Sequence, residues 1–184
     1  RFTSTALSIR ALQAYGRDMG GKIVKAREWL QQTAPTTQEE RTMRLFGLVW
    51  SDADAQHIAA EFVNRYLIER PPLPALAITT DTSALTSIVN DYDVGEIFAK
   101  QIKALGKPGD VAIAISTSGN SKNILRALEV CRELSIKTIG LTGGDGGVMA
   151  RMVDHLLCVS ATRVTPRIQE THILIGHVLC EMAD

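Results

Sequence analysis

The sequence predicts an α/β fold, a parallel sheet with helices packed on both faces, and three observations carry that prediction. From residue 74 onward, short apolar runs are each followed by a turn rich in Gly, Ser, Thr or Asp and then by an amphipathic stretch. The apolar runs are near-continuous rather than alternating, the pattern of strands covered by helices on both sides. Strand and helix also alternate one for one, which builds βαβ units and a three-layer αβα sandwich.

Taken in order, residues 1–44 form an N-terminal segment distinct from the rest. Within it 5–15 has helical character and Gly20-Gly21-Lys22 reads as a turn, while the polar stretch 27–44, with Pro35 among threonines, reads as an irregular connection. The run 45–50 is the strand that feeds a helix over 53–66. Strands follow at 75–80, 111–116, 138–142 and 156–160, each too short for a helix. Asp81-Thr82-Ser83 opens a helical stretch that Asn90-Asp91 ends, and the segments 94–105, 122–134 and 148–153 space their apolar residues by three and four. A longer helix over 168–182 closes a single domain of residues 45–184.

Composition narrows the classes of function. At 184 residues, 45% apolar and 22% charged, the chain has the make-up of an ordinary soluble domain with a real core. Twenty basic residues balance twenty acidic ones, so no long-range field favours a polyanion, and nucleic acid is not expected as a direct ligand. Cys131, Cys158 and Cys180 are odd in number and widely spaced, which reads as reduced core thiols and a cytoplasmic location. Neither a signal peptide nor a membrane span is expected.

The strongest local signal is Ser116-Thr117-Ser118-Gly119-Asn120-Ser121, directly after a predicted strand and directly before a helix. Ligands bind at the carboxyl ends of parallel strands, where a helix start presents unpaired N–H groups. Four hydroxyls in six residues exceed the needs of one helix cap, so the segment reads as a phosphate cradle. Gly143-Gly144-Asp145-Gly146-Gly147 is either a site of close backbone approach and positive φ or a plain loop. His57 and Glu61, four apart, share a helix face and can jointly meet a metal or a substrate hydroxyl. Gln169, His172 and His177 lie on the last helix, with Gln169 and His177 about 80° apart around its axis. Taken alone, these residues read better as polar groups on a solvated face or as a satisfied core histidine than as one pocket.

In order along the chain, the residues from Ser51-Asp52-Ala53 through His57 and Glu61, Leu73-Pro74-Ala75, Thr79-Thr80-Asp81-Thr82-Ser83, Asn90-Asp91-Tyr92, Gly109-Asp110-Val111, Ile115 to Ser121, Leu141-Thr142-Gly143 and Arg167-Ile168-Gln169-Glu170 to His177 resemble the sugar isomerase (SIS) domain, specifically its phosphoheptose isomerases. The match spans about three quarters of the chain with nearly gapless spacing. The resemblance implies a flavodoxin/Rossmann-like sheet and the conversion of sedoheptulose 7-phosphate to a heptose 7-phosphate aldose through an enediol. It implies Glu61 as general base and His177 as acid/base partner at oxygen. Ser51, Asn90, Asp91, Ser116, Thr117, Ser118, Ser121 and Gln169 match substrate contacts, and His57, Glu61, Gln169 and His177 match the ligands of one zinc ion per subunit. It further implies a homotetramer with sites between subunits, serving the synthesis of activated heptose for surface polysaccharide.

The chain departs from the pattern at one point. Where the family carries Gly-Asn-Gly-Gly before the serine matching Ser51, this chain has Gly47-Leu48-Val49-Trp50, a bulky run expected to fill space beside the sugar. Gly20-Gly21-Lys22 also lies 29 residues before Ser51, against about ten in the family. Two rival readings stand beside the isomerase: a non-catalytic SIS protein that binds a replication initiator, and a sugar-phosphate sensor that binds without turnover. Retention of both Glu61 and His177 favours the enzyme, since a binding module needs no base and acid on one pocket.

Overall fold

The computed structural model describes residues 45–49 and 52, as backbone, and 53–184. The expectations placed on residues 1–44, Trp50 and Ser51 lie outside the described residues. The elements run β1 (Leu45–Val49), α1 (Asp52–Val63), β2 (Ala75–Ala77), α2 (Thr82–Asp91), α3 (Glu96–Leu105), β3 (Val111–Ser116), α4 (Lys122–Glu133), β4 (Lys137–Gly143), a 3₁₀ turn (Val148–Arg151), β5 (His155–Val159) and α5 (Thr165–Ala183).

Among the described residues the four strand pairings are all parallel, in the order β2-β1-β3-β4-β5. That is the flavodoxin-like order, with its switch point between β1 and β3, where the chain reverses its direction of travel across the sheet. A crevice therefore opens outside the carboxyl ends of those two strands. The turn that begins at Ser116 leaves β3 at that point.

Side chains of β3 show how the sheet carries two cores. Val111, Ile113 and Ile115 point to one face, where α1 brings Ala55, Ile58 and Phe62 and α5 brings Ile168, Ile175, Val178 and Leu179. Ala112 and Ala114 point to the other face, where their small size admits Phe98 and Ile102 of α3 and Ile124 and Leu128 of α4. The result is the expected three-layer sandwich. Among the described residues no helix is long and apolar enough to cross a membrane.

Several boundaries differ from the sequence pattern. The predicted helix over 148–153 is a single 3₁₀ turn, Val148–Arg151, because Gly147 enters it at φ 58° and β5 follows too soon for an α-helix to propagate. Helix α5 starts earlier than its apolar period, at Thr165, since Pro166 suits the first turn. Strand β2 is shorter than expected, at Ala75–Ala77, and α1 ends at Val63, leaving Tyr66 beyond it. The segment Gly47–Val49 is extended strand backbone paired with Ile113–Ile115 of β3. No positive φ is needed there, and strand geometry suits a β-branched Val49.

Candidate active site

Two clusters of polar groups are built around the sheet. The first joins α1 to α5. Gly176 permits their close approach, since a Cβ at this position would stand 2.6 Å from Ile58 Cδ1. Beside Ile58 and Gly176 lie the candidate residues: His57 Nε2 is 2.8 Å from His177 Nε2 and 3.6 Å from Glu61 Oε1. The His57 and His177 rings meet edge to face at 5.1 Å, and Tyr66 stacks on His177 at 5.2 Å. Burial pushes the His177 pKa below its ordinary value, His57 adds to that effect, and Glu61 opposes it. His177 is thus a neutral imidazole at pH 7, and one of the two facing nitrogens donates to the other.

A buried ion pair fixes this cluster from behind. Arg70 Nε donates to Asp184 Oδ1 at 2.7 Å, and the side chains are 9% and 3% exposed. The same guanidinium donates to the carbonyls of Phe62 and Glu61, so the end of α1 is tied to the end of α5. Burial alone would raise the Asp184 carboxyl, but the Leu67 N–H, Arg70 and the Ile68 N–H together hold it below the usual carboxylate range.

The second cluster is the turn from Ser116 to Ser121. Gly119 N–H donates to Ser116 O at 3.0 Å, closing a turn with Gly119 at φ 63°. Ser116 is buried and its hydroxyl is bonded to that of Ser121 at 2.9 Å, while Ser118 is exposed. The glycine-rich segment turns out to be a close approach: a Cβ on Gly119 would lie 2.0 Å from Gly146 O, and one on Gly147 would lie 2.4 Å from Ser118 O. Gly144, Gly146 and Gly147 all have positive φ. Asn120 stitches the two loops together, donating to Ser118 O and accepting from Val148 N–H.

Beside this turn lies a cavity of about 220 Å³ lined by Thr117, Ser118, Gly143, Gly144, Asp145, Arg163, Thr165 and Ile168. Arg163 makes no hydrogen bond or ion pair among the described residues, and the Asp145 carboxylate accepts from Gly147 N–H. A larger cavity, about 300 Å³, opens at the amino end of β4 around Arg132, Lys137 and Asp154. It holds none of the candidate groups and faces away from the strand ends at which such sheets bind ligands.

The structure therefore brings His57, Glu61 and His177 together, and groups Ser116, Thr117, Ser118 and Ser121 in one turn. Asn90 and Asp91 are exposed at the end of α2, in contact with each other and with neither cluster. Gln169 is half-buried in the first turns of α5, about 12 Å along the axis from His177. Tyr66, Arg70, Asp184 and Arg163 were not singled out by sequence. The contacts of the first three, and the place of Arg163 in the cavity wall, join segments far apart in the chain, and no local spacing announces them.

Two imidazoles and a carboxylate are the nitrogen and oxygen donors that zinc takes, so the residue types fit that ion. Their spacing is that of a hydrogen-bonded pair, and among the described residues no three His, Cys, Asp or Glu side chains are arranged to hold a metal.

Residues 11–143 match the family model described as the SIS domain. The phosphoheptose isomerase of Nitratidesulfovibrio vulgaris (Miyazaki F) is 54% identical over 153 residues, 83% of this chain and 73% of that protein. That of Thermodesulfovibrio yellowstonii is 46% identical over 177 residues, 96% of this chain and 86% of that protein. Among solved structures, a phosphoheptose isomerase from Francisella tularensis superposes with a TM-score of 0.82 at 36% identity, covering 99% of this chain and 95% of that one. The enzyme from Neisseria gonorrhoeae gives 0.79 at 41% identity, covering 97% and 93%.

Proposed function

Because the chain belongs to the SIS-domain family, among the phosphoheptose isomerases, we propose that it converts sedoheptulose 7-phosphate to D-glycero-D-manno-heptose 7-phosphate through an enediol. The observation that carries the reading is the convergence of Glu61 and His177 on His57, a carboxylate and a neutral imidazole at one point between two helices.

Ketose to aldose conversion needs two proton movements at carbon and two at oxygen. The Glu61 carboxylate takes a proton from C1 while His177 supplies one to the C2 carbonyl oxygen, giving the enediol. Glu61 then returns its proton to C2 and the C1 hydroxyl proton goes back to His177, leaving an aldehyde at C1. Atoms and charge balance, and both groups end as they began. A neutral imidazole suits the oxygen side, since it can donate there without holding a cation in a partly buried site. The phosphate is held by the hydroxyls of Ser116, Thr117, Ser118 and Ser121 and the N–H groups of their turn, with Asn90, Asp91, Ser51 and Gln169 as sugar contacts. If zinc is bound, His57, Glu61, Gln169 and His177 would hold it, and it would polarise the ketose carbonyl.

The same reading makes the protein a cytoplasmic homotetramer with sites between subunits, acting in the synthesis of activated heptose for lipopolysaccharide or other surface polysaccharide. The regulator and sensor alternatives are not favoured, since relatives at 46–54% identity are named as isomerases. The test is turnover of sedoheptulose 7-phosphate by the purified protein, with added zinc and with chelator, following solvent exchange of the C1 proton. Exchange with aldose formation supports the isomerase; tight binding without exchange overturns it in favour of a sensor.

A further inference from the structure

We propose that His172 is a positioning residue for the phosphate-binding turn, acting through a single peptide group; the inference rests on the isomerase reading and deepens it. His172 is completely buried on α5, and its Nε2 lies 3.0 Å from the Thr142 carbonyl oxygen. A carbonyl only accepts, so Nε2 carries the proton. The other half of that peptide group, the Gly143 N–H, donates at 3.0 Å to the carbonyl of Thr117. Thr117 is the residue of the turn that lines the cavity next to Ser118. One hydrogen bond on each side of the Thr142–Gly143 peptide therefore links the core imidazole to the residue facing the ligand.

Packing alone does not account for a histidine here. Its Nδ1 is buried and has no hydrogen-bond partner, so an apolar side chain of similar size would fill the space with less cost in desolvated polar groups. What an apolar side chain cannot do is donate to Thr142 O. That donation orients the last peptide of β4, polarises its N–H and so strengthens the bond that holds Thr117. Nδ1 without an acceptor also keeps the ring neutral, since an imidazolium there would bury a second N–H unpaired. The charge that acts on it from a neighbouring element is that of Asp54 of α1.

The test compares His172→Leu with His172→Gln in the full chain, using inorganic phosphate as the probe in calorimetry and sedoheptulose 7-phosphate in kinetics. Gln keeps an N–H donor; Leu keeps volume only. The expected result is that Leu weakens phosphate binding and raises KM by about tenfold, the scale of one hydrogen bond, with kcat within about twofold, while Gln restores most of the loss. Phosphate affinity equal to wild type in both variants overturns the relay. So does an equal loss in both variants accompanied by a matching fall in kcat, the mark of a general packing defect. A wild-type protein that binds phosphate but does not turn over the sugar fails the isomerase reading and leaves the phosphate comparison decisive for His172.

Discussion

Glu61 sits 3.6 Å from His57, which in turn faces His177 at 2.8 Å, and that short chain of contacts decides what single substitutions do. Glu61→Gln keeps shape but removes the proposed base, so kcat is expected to fall by about 10²–10⁴-fold while inorganic phosphate affinity stays within about twofold. Steady-state kinetics with a phosphate titration checks this; unaltered kcat would remove Glu61 from the role. Arg163 calls for the opposite signature. It is a cation without a partner among the described residues, beside Thr117 and Ser118, in a cavity whose other polar groups are hydroxyls, backbone and one carboxylate. Asp145 on the same wall opposes an anion, which makes the guanidinium's contribution the more needed. Arg163→Ala is expected to raise KM about tenfold and leave kcat nearly unchanged, as measured over a substrate series. The sequence made the first residue visible and hid the second. Glu61 has a helical i+4 partner in His57, and the hydroxyl-rich turn is bracketed by a strand and a helix. Arg163 and Tyr66 acquire meaning only when β5 and α5, or α1 and α5, are folded against their neighbours.

Among the elements, α1 and α5 carry Glu61 and His177, the proposed base and acid, and two devices set their separation. Gly176 against Ile58 lets them approach, and the Arg70–Asp184 pair clamps their ends while Arg70 also caps the carbonyls of Glu61 and Phe62. An ion pair this buried contributes little net stability against an apolar replacement of both partners, but removal of one partner leaves a charge with no counter-ion. Arg70→Leu is accordingly expected to destabilise the fold by about 3–5 kcal/mol, read as a lower urea midpoint at unchanged slope. Any surviving folded enzyme should lose kcat as the helix ends separate. A midpoint within error of wild type would show that the clamp is dispensable. The helices themselves were legible from apolar periodicity, because each must bury one stripe against the sheet. Their ends were less so. The apolar period over 148–153 cannot show that Gly147 turns the chain at positive φ and that β5 begins four residues after the 3₁₀ turn ends. Likewise α5 begins before its apolar stripe because its first turn lies over the cavity at Thr165, where burial does not govern the pattern.

At the scale of the whole molecule, the parallel order β2-β1-β3-β4-β5 places the switch point at β1 and β3 and makes the strand ends the working face. That architecture was readable from the alternation of apolar runs and amphipathic stretches, since only covered parallel strands carry such runs. Burying α5 along this sheet has a thermodynamic consequence through His172. Burial lowers its folded pKa below the unfolded value of about 6.5, and the hydrogen bond to Thr142 and the charge of Asp54 oppose that shift without cancelling it. As pH falls through about 6.5, the unfolded chain takes up a proton at this site and the folded protein does not, so the unfolded state is favoured. The stabilising contribution is thus fully present above about pH 6.5 and is lost progressively toward the lowered folded pKa. Asp154 and Asp184, whose carboxyls are also held low, act only below the ordinary carboxylate range and do not overlap this window, whereas His177, lowered by burial and His57, acts within it with the same sign. Unfolding free energy measured by urea titration should be flat for this group from pH 8 to about 7 and fall on going to pH 5.5, with a share from His172 of at most about 1.4 kcal/mol per pH unit. His172→Leu should reduce that slope whatever its effect on stability at neutral pH, because the titrating group is gone. A variant with the wild-type slope would mean that the imidazole titrates alike in the folded and unfolded chains, and that the core of α5 admits a charge the burial of this residue should forbid.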